Sequence, residues 1–310
     1  MLIETIIFIV GFIFLFKGSQ IVIDSSIKIS EYLGISRLAV GFIIVAMATS
    51  IPDFMVAVNA SLIGETPMAI GDALGSSIAN ITLVLGIAAL IRNLNVKREQ
   101  TIASAELLFL ISLVPLIILS RGTVTQIEGM LLLLFFAFYC FFILKKKFTM
   151  NITGKISKKE SKKAFFFFVI GISIVILSAH FVVSSGASIA SSIGISSALI
   201  GMTVIAFGTT LPELAIDLAA IRKGHTALAV GDILGSCVIN LTLVMGTAII
   251  INPIGAAFEQ FSTAIIILVV VNSLLTYALL KHEGITKTLG IVFILIYILF
   301  LLIQFSSGLI

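Results

Sequence analysis

Two carboxylates stand where an apolar chain should have none. Asp53 lies in AMATSIPDFMVAV (46–58) and Glu213 in AFGTTLPELAIDL (206–218). Each directly follows a proline, Pro52 or Pro212, in a hydrophobic run of membrane length. A charge near the bilayer centre costs a few kcal/mol or more, so such residues face a cavity and mark a substrate or ion path. Proline removes a backbone donor and disturbs the turn before it, freeing carbonyls that can bind a cation. Thr49 and Ser50, then Thr209 and Thr210, add hydroxyls at the same points. Further on comes a second polar island in each case, GDALGSSIAN at 71–80 and GDILGSCVIN at 231–240. Carboxylate, amide and hydroxyl oxygens without a cluster of His or Cys suit a hard cation, which makes these stretches an ion site.

The other polar positions carry less. Asn80 and Asn240 follow Ser76 and Ser236 by four residues on one helix face. The amides read either as glue between helices or as ligands, and their symmetry favours ligands. The hydroxyls of Thr49, Ser50, Thr209 and Thr210 either bond their own helix or join an ion's shell. Asp72 and Asp232 lie one turn before the serines, and read first as helix caps or solvated vestibule residues, with a secondary cation or proton site as the other reading. Asp24, Glu106, Asp217, His180 and Lys17 have no counterpart of like type, and no role is assigned to them. Asp217, one turn beyond Glu213, would line an aqueous path. Gly41, Gly71, Gly75, Gly201, Gly231 and Gly235 are expected to allow close helix approach. Cys140 and Cys237 read as packing residues.

The elements that hold these groups follow from composition. Of 310 residues, 59% are hydrophobic and 11% charged, which excludes a soluble or a disordered domain and points to an all-α protein crossing the membrane many times. Ten apolar runs are expected as spans, at roughly 3–27, 37–62, 67–91, 102–120, 124–144, 164–187, 196–220, 226–251, 260–280 and 287–307. The first is a span rather than a cleaved leader. The one sizeable polar linker, 145–163, is rich in lysine. With it in the cytoplasm, only Lys17 and Arg121 of the 19 Lys and Arg fall off that side, which places both termini outside.

Gly41, Thr49, Pro52, Gly64, Gly71, Asp72, Gly75, Ser76, Asn80 and Gly86 all recur at 201, 209, 212, 224, 231, 232, 235, 236, 240 and 246 in one register. Each copy holds an odd number of runs, so the second must enter the membrane from the opposite side. The expected organisation is a first five-helix repeat at 1–144, the cytoplasmic linker at 145–163 and an inverted second repeat at 164–310. That arrangement is typical of secondary transporters with a site at the repeat interface.

At this point the residues resemble a family. ATSIPD (48–53) with GSSIAN (75–80), and GTTLPE (208–213) with GSCVIN (235–240), look like the two alpha-repeats of the cation/calcium antiporter superfamily, most closely its prokaryotic sodium/calcium exchangers. The resemblance implies that Asp53 and Glu213, with the backbone oxygens of Thr49 and Thr209, hold Ca2+. It implies that Ala46, Ser50, Ser76, Ala206, Thr210 and Ser236 serve Na+ together with the same two acids, with Asn80 and Asn240 at the centre. It also implies that the first and sixth spans slide over a rigid core. Asp53 stands where these exchangers usually carry glutamate. Both central amides being Asn argues against K+ co-transport, and Asp72 and Asp232 stand where asparagine is frequent.

Two acids give the site a formal charge of −2, which one Ca2+ or two Na+ neutralise, with a third Na+ held by neutral oxygens. The resemblance implies electrogenic exchange of three Na+ for one Ca2+, and the expected carrier is a monomer in the lipid bilayer, with no cofactor, no enzymatic activity and no nucleic-acid partner. The alternative on the same scaffold is an exchanger of H+ for Ca2+, or of Mn2+ or Mg2+. An intramembrane protease built on Asp72 and Asp232 leaves the Pro–acid motifs unexplained, and a channel fits inverted repeats poorly.

Overall fold

The computed structural model describes residues 2–34, 37–62, 64, 66–95, 98–120, 122–145, 156–192, 206–255, 258–282 and 284–307. Most of the lysine-rich linker, Lys97, Arg121, Gly201 and the first part of the seventh apolar run therefore lie outside the described residues.

The chain is helical wherever it is long and apolar, because a lipid-facing backbone must satisfy its own hydrogen bonds. Helix α1 spans Leu2–Leu33. It is followed by α2 (Arg37–Thr49) and α3 (Ile51–Leu62), which meet at a 43° bend. Next come α4 (Thr66–Ala79), a π turn at Asn80–Val84, and α5 (Leu85–Ile91). Helices α6 (Arg98–Leu119) and α7 (Gln126–Lys145) complete the first half. The second half has α8 (Lys158–Ser192), α9 (Ala206–Arg222) and α10 (Thr226–Ile239). A π turn at Asn240–Val244 leads into α11 (Met245–Ile251), then α12 (Phe258–His282) and α13 (Lys287–Ser307). Among the described residues, seven helices are long and apolar enough to cross a membrane, or eight if α2 and α3 count as one broken span. A shorter apolar stretch, Ala105–Ile118, lies in α6.

Contacts are exchanged between the halves. Helix α1 packs antiparallel along α8, where Gly18 meets Gly171, Ile174 and Val175. Gly86 of α5 approaches the carbonyl of Gly290 in α13, and Gly246 of α11 approaches that of Gly129 in α7. Four two-residue strands, which the all-α expectation did not contain, repeat the exchange. Strand β1 (Leu94–Asn95) pairs antiparallel with β4 (Gly284–Ile285), and β2 (Thr123–Val124) with β3 (Ile254–Gly255). They tie the loop after a polar-island helix to the loop before the last helix of the other half.

The polar islands sit at the centre. Of the apolar spans, Ala69–Ile91 and Thr226–Ile251 are 72% and 83% buried, whereas Lys287–Gln304 is 11% buried. The most sheltered helices are thus the ones that carry Asp, Ser and Asn. Their apolar surroundings include Ile70, Leu74, Ile78, Ile233 and Leu234. Cys237 directs its Sγ at the Ser77 carbonyl, 3.6 Å away, so matching positions of the two copies meet in the middle. Backbone closeness demands glycine here. A Cβ on Gly41 would stand 2.2 Å from the Leu228 carbonyl oxygen, and one on Gly231 2.4 Å from that of Leu38.

Candidate cation site

Asp53 sits in the first turn of α3, just past the bend at Ser50. The bend follows from Pro52, whose ring fits the start of a helix and disfavours its continuation backwards. A π turn at Gly41–Val45 further loosens the approach in α2. The second copy differs. Pro212 lies inside α9, which runs unbroken from Ala206 to Arg222. The break expected there is a missing backbone donor in a continuous helix, because six residues of helix, Ala206 to Leu211, precede the ring within the described part of α9. Asn80 and Asn240 each open a π turn, so the wider backbone ring recurs at the same place in both halves. π turns inside helices concentrate at functional sites.

These pieces converge. Ala46, Thr49, Ser50, Asp53, Ser76, Asn80, Thr209, Thr210, Glu213, Ser236 and Asn240 are all at or below 8% exposure. Ala206 opens α9 in the same region. Ser76 donates to Asp53 Oδ1 at 3.1 Å. Thr209 and Asn240, from the other half, border the Asp53 carboxylate. In return Thr49 borders Glu213. The Thr49 hydroxyl also lies 3.2 Å from the Ala46 carbonyl, 3.3 Å from Asp232 Oδ1 and 3.4 Å from Ser236 Oγ. Each half therefore lends a threonine to the other half's acid.

The decisive feature is what these atoms lack. Both oxygens of Glu213, both side-chain atoms of Asn80 and of Asn240, and the Ser50 hydroxyl are buried without a hydrogen-bond partner. Each such atom costs about 1–3 kcal/mol, more when charged, unless something else satisfies it. Among the described residues no Lys, Arg or His is buried to compensate. Nor do three of His, Cys, Asp and Glu converge as a metal-binding group on their own. An ion held here would complete its shell from hydroxyl, amide and backbone oxygens, as hard cations do.

Asp72 and Asp232 are not helix caps. Each is the seventh residue of its helix, α4 or α10. Asp232 is fully buried, so the solvated reading fails for it; Asp72 is half-buried, with its Oδ2 sheltered and unpaired. Asp217, which would have faced water, is fully buried instead and faces Asp232. Its one visible signal was its place four residues after Glu213. Symmetry hid it, since Ala57 holds the matching position. Asp24 makes an ion pair with Lys223 at 2.6 Å, and Lys17 and Glu106 are exposed. The His180 side chain lies outside the described residues.

A family model described as sodium/calcium exchanger protein matches residues 3–145 and 163–306. The putative antiporter CaxA of Alkalimonas amylolytica is 32% identical over 99% of this chain and 100% of its own. The sodium/calcium exchanger MaX1 of Methanosarcina acetivorans is 25% identical over 97% and 98%. A solved structure of the sodium-calcium exchanger NCX_Mj, soaked with 10 mM Na+ and zero Ca2+, superposes with a TM-score of 0.86 at 26% identity, covering 96% of this chain and 97% of that one.

Proposed function

The chain belongs to the sodium/calcium exchanger protein family, within the cation/calcium antiporter superfamily, and from that premise we propose that it exchanges Na+ for Ca2+ by alternating access. It is a multi-pass membrane protein. The observation that carries the reading is the buried, unpartnered set of oxygens around Asp53 and Glu213, contributed by both halves.

Asp53 and Glu213 supply the two negative charges that one Ca2+ neutralises, and the Thr49 and Thr209 carbonyls extend its shell. Na+ takes the oxygens of Ala46, Ser50, Ser76, Ala206, Thr210 and Ser236 beside the same acids, with Asn80 and Asn240 between the sites. Occupancy is mutually exclusive because both ions draw on the same two carboxylates. The loaded site is neutral or nearly so and can pass through an occluded state; the empty, doubly negative one cannot. Three Na+ for one Ca2+ moves one net charge, worth about 2.3 kcal/mol per 100 mV. The amides at 80 and 240 leave no extra charge for K+.

Ten spans in two inverted five-helix repeats, 1–144 and 164–310, joined by a cytoplasmic 145–163 linker with both termini outside, fit the exchanged glycine contacts and strand pairs. A proton-coupled Ca2+ exchange is the second reading, favoured by the additional buried aspartates 217 and 232. The test is 45Ca2+ uptake into proteoliposomes under an outward Na+ gradient or an outward proton gradient. Uptake driven by Na+ alone is expected, and Glu213→Gln or Asp53→Asn should abolish it. Uptake driven only by protons would replace the Na+ reading, and undiminished transport by both variants would remove the site.

A further inference from the structure

The exchange site leaves two acids unused. Asp217 follows Glu213 by four residues in α9, and Asp232 precedes Ser236 by four in α10. At 1.5 Å per residue both lie about 6 Å along their helices from the Asp53/Glu213 site, on the side of the 223–225 turn. The two carboxylates face each other, with Glu213 as the next charge. Asp217 and Asp232 are fully buried. The Asp217 and Asp232 carboxylates lie within hydrogen-bond reach of each other, and among the described residues no other group donates to Asp217 or to the Oδ2 of Asp232, while Asp232 Oδ1 lies 3.3 Å from the Thr49 hydroxyl. Independently of the pair, both oxygens of Glu213, fully buried, are also unsatisfied at its edge.

We infer that Asp217 and Asp232, with the Thr49 hydroxyl, form a second site for a hard divalent cation of the calcium class, in line with the exchange site and one helical turn from it toward the 223–225 turn. Two facing carboxylates, both fully buried and with no Lys, Arg or His buried beside them among the described residues, match the charge of one such ion. Carboxylate and hydroxyl oxygens are the ligands it takes. The Thr49 hydroxyl borders both Asp232 and Glu213, so an ion leaving the exchange site meets the second without crossing apolar surface. The symmetric position in the other half is Ala57, so the device exists on one side only.

The inference rests on the exchange reading for the identity of the ion, and the test separates the two. Equilibrium 45Ca2+ binding is measured on the purified full chain in Na+-free detergent buffer. The wild type is expected to bind about two equivalents and Asp217→Asn about one, as for two independent oxygen-ligand sites. Glu213→Gln should lose the exchange-site equivalent while retaining the one that Asp217→Asn removes. One equivalent in the wild type, unchanged in Asp217→Asn, would mean that the pair only shares a proton; the second site then falls and the exchange site stands. No equivalent lost on Glu213→Gln would instead strike at the exchange site. Asp217→Ala, which copies Ala57, serves as the second variant. Without Ca2+ it should melt no lower than the wild type, and Ca2+ should raise its melting temperature less. A lower melting temperature without Ca2+ in both variants would mark Asp217 as structural and overturn the inference.

Discussion

At the scale of single residues, the site is a buried set of carboxylate, amide and hydroxyl groups, several of which lack a hydrogen-bond partner. Ser76 is informative because its hydroxyl, from the same half as Asp53, donates to that carboxylate at 3.1 Å. A hydrogen bond to a charged group contributes about 1.5–3 kcal/mol, so Ser76→Ala should weaken apparent Ca2+ affinity by roughly tenfold or more. Ser77→Ala is the control, since the Ser77 hydroxyl bonds only its own helix at Ala73. Titrating 45Ca2+ uptake against external Ca2+ for both variants checks this, and equal affinities would show that Ser76 does not support the carboxylate. Most of this was legible in the sequence. A proline followed by an acid in an apolar run has few uses, and a second copy removed the ambiguity. Asp217 was not legible, because the signal that exposed the others was repetition and Ala57 breaks it. Asp232 was misjudged because a polar residue near the start of an apolar run looks solvated until the neighbouring helices are in place.

At the scale of elements, the helices came from the lengths of apolar runs, whereas their irregularities did not. The bend at Ser50 was foreseeable from Pro52, and the same logic failed at Pro212, where the helix continues. The three π turns among the described residues have no sequence mark of their own. At Asn80 and Asn240, Thr82 and Thr242 bond back to the carbonyls four residues earlier, an arrangement compatible with many ordinary helices. The close crossing of α2 and α10 was legible in Gly41 and Gly231, though not its tightness. Gly41→Ala sets two effects against each other. Alanine gains about 1 kcal/mol of helix propensity. Its Cβ, however, would stand 2.2 Å from the Leu228 carbonyl oxygen, and no rotamer change moves a backbone atom. Overpacking of this kind costs about 1–3 kcal/mol, and a clash with backbone belongs at the upper end. A net loss is expected, seen as a lower melting temperature in detergent and weaker Ca2+ binding. A variant as stable as the wild type would mean that the helices are free to part.

At the scale of the whole molecule, charged side chains from α1 and α2 meet the turn between α9 and α10. Lys223 pairs with Asp24 of α1, and Arg37 at the start of α2 reaches His225 in the turn between α9 and α10. The first contact is exposed and contributes little, as surface ion pairs do. The second carries a pH dependence. Arg37 Nη1 lies 3.0 Å from His225 Nδ1, and a guanidinium can only donate, so the imidazole accepts there and is neutral. Burial lowers the His225 pKa below its ordinary value, and the charges of Arg37 and Lys223 lower it further against a small opposing effect of Asp24. A histidine whose folded pKa is depressed binds fewer protons folded than unfolded. Its contact is therefore intact above the unfolded pKa of about 6.5 and is lost as pH falls below that toward the folded value. His225→Gln keeps an acceptor for Arg37 and removes the titration. The melting temperature of the wild type should fall relative to His225→Gln as pH is lowered through about 6.5, while the two should run in parallel above it. The buried carboxylates are common to both proteins and cancel in the difference. Curves that stay parallel throughout acidification would show that the Arg37–His225 contact does not hold α2 to the turn.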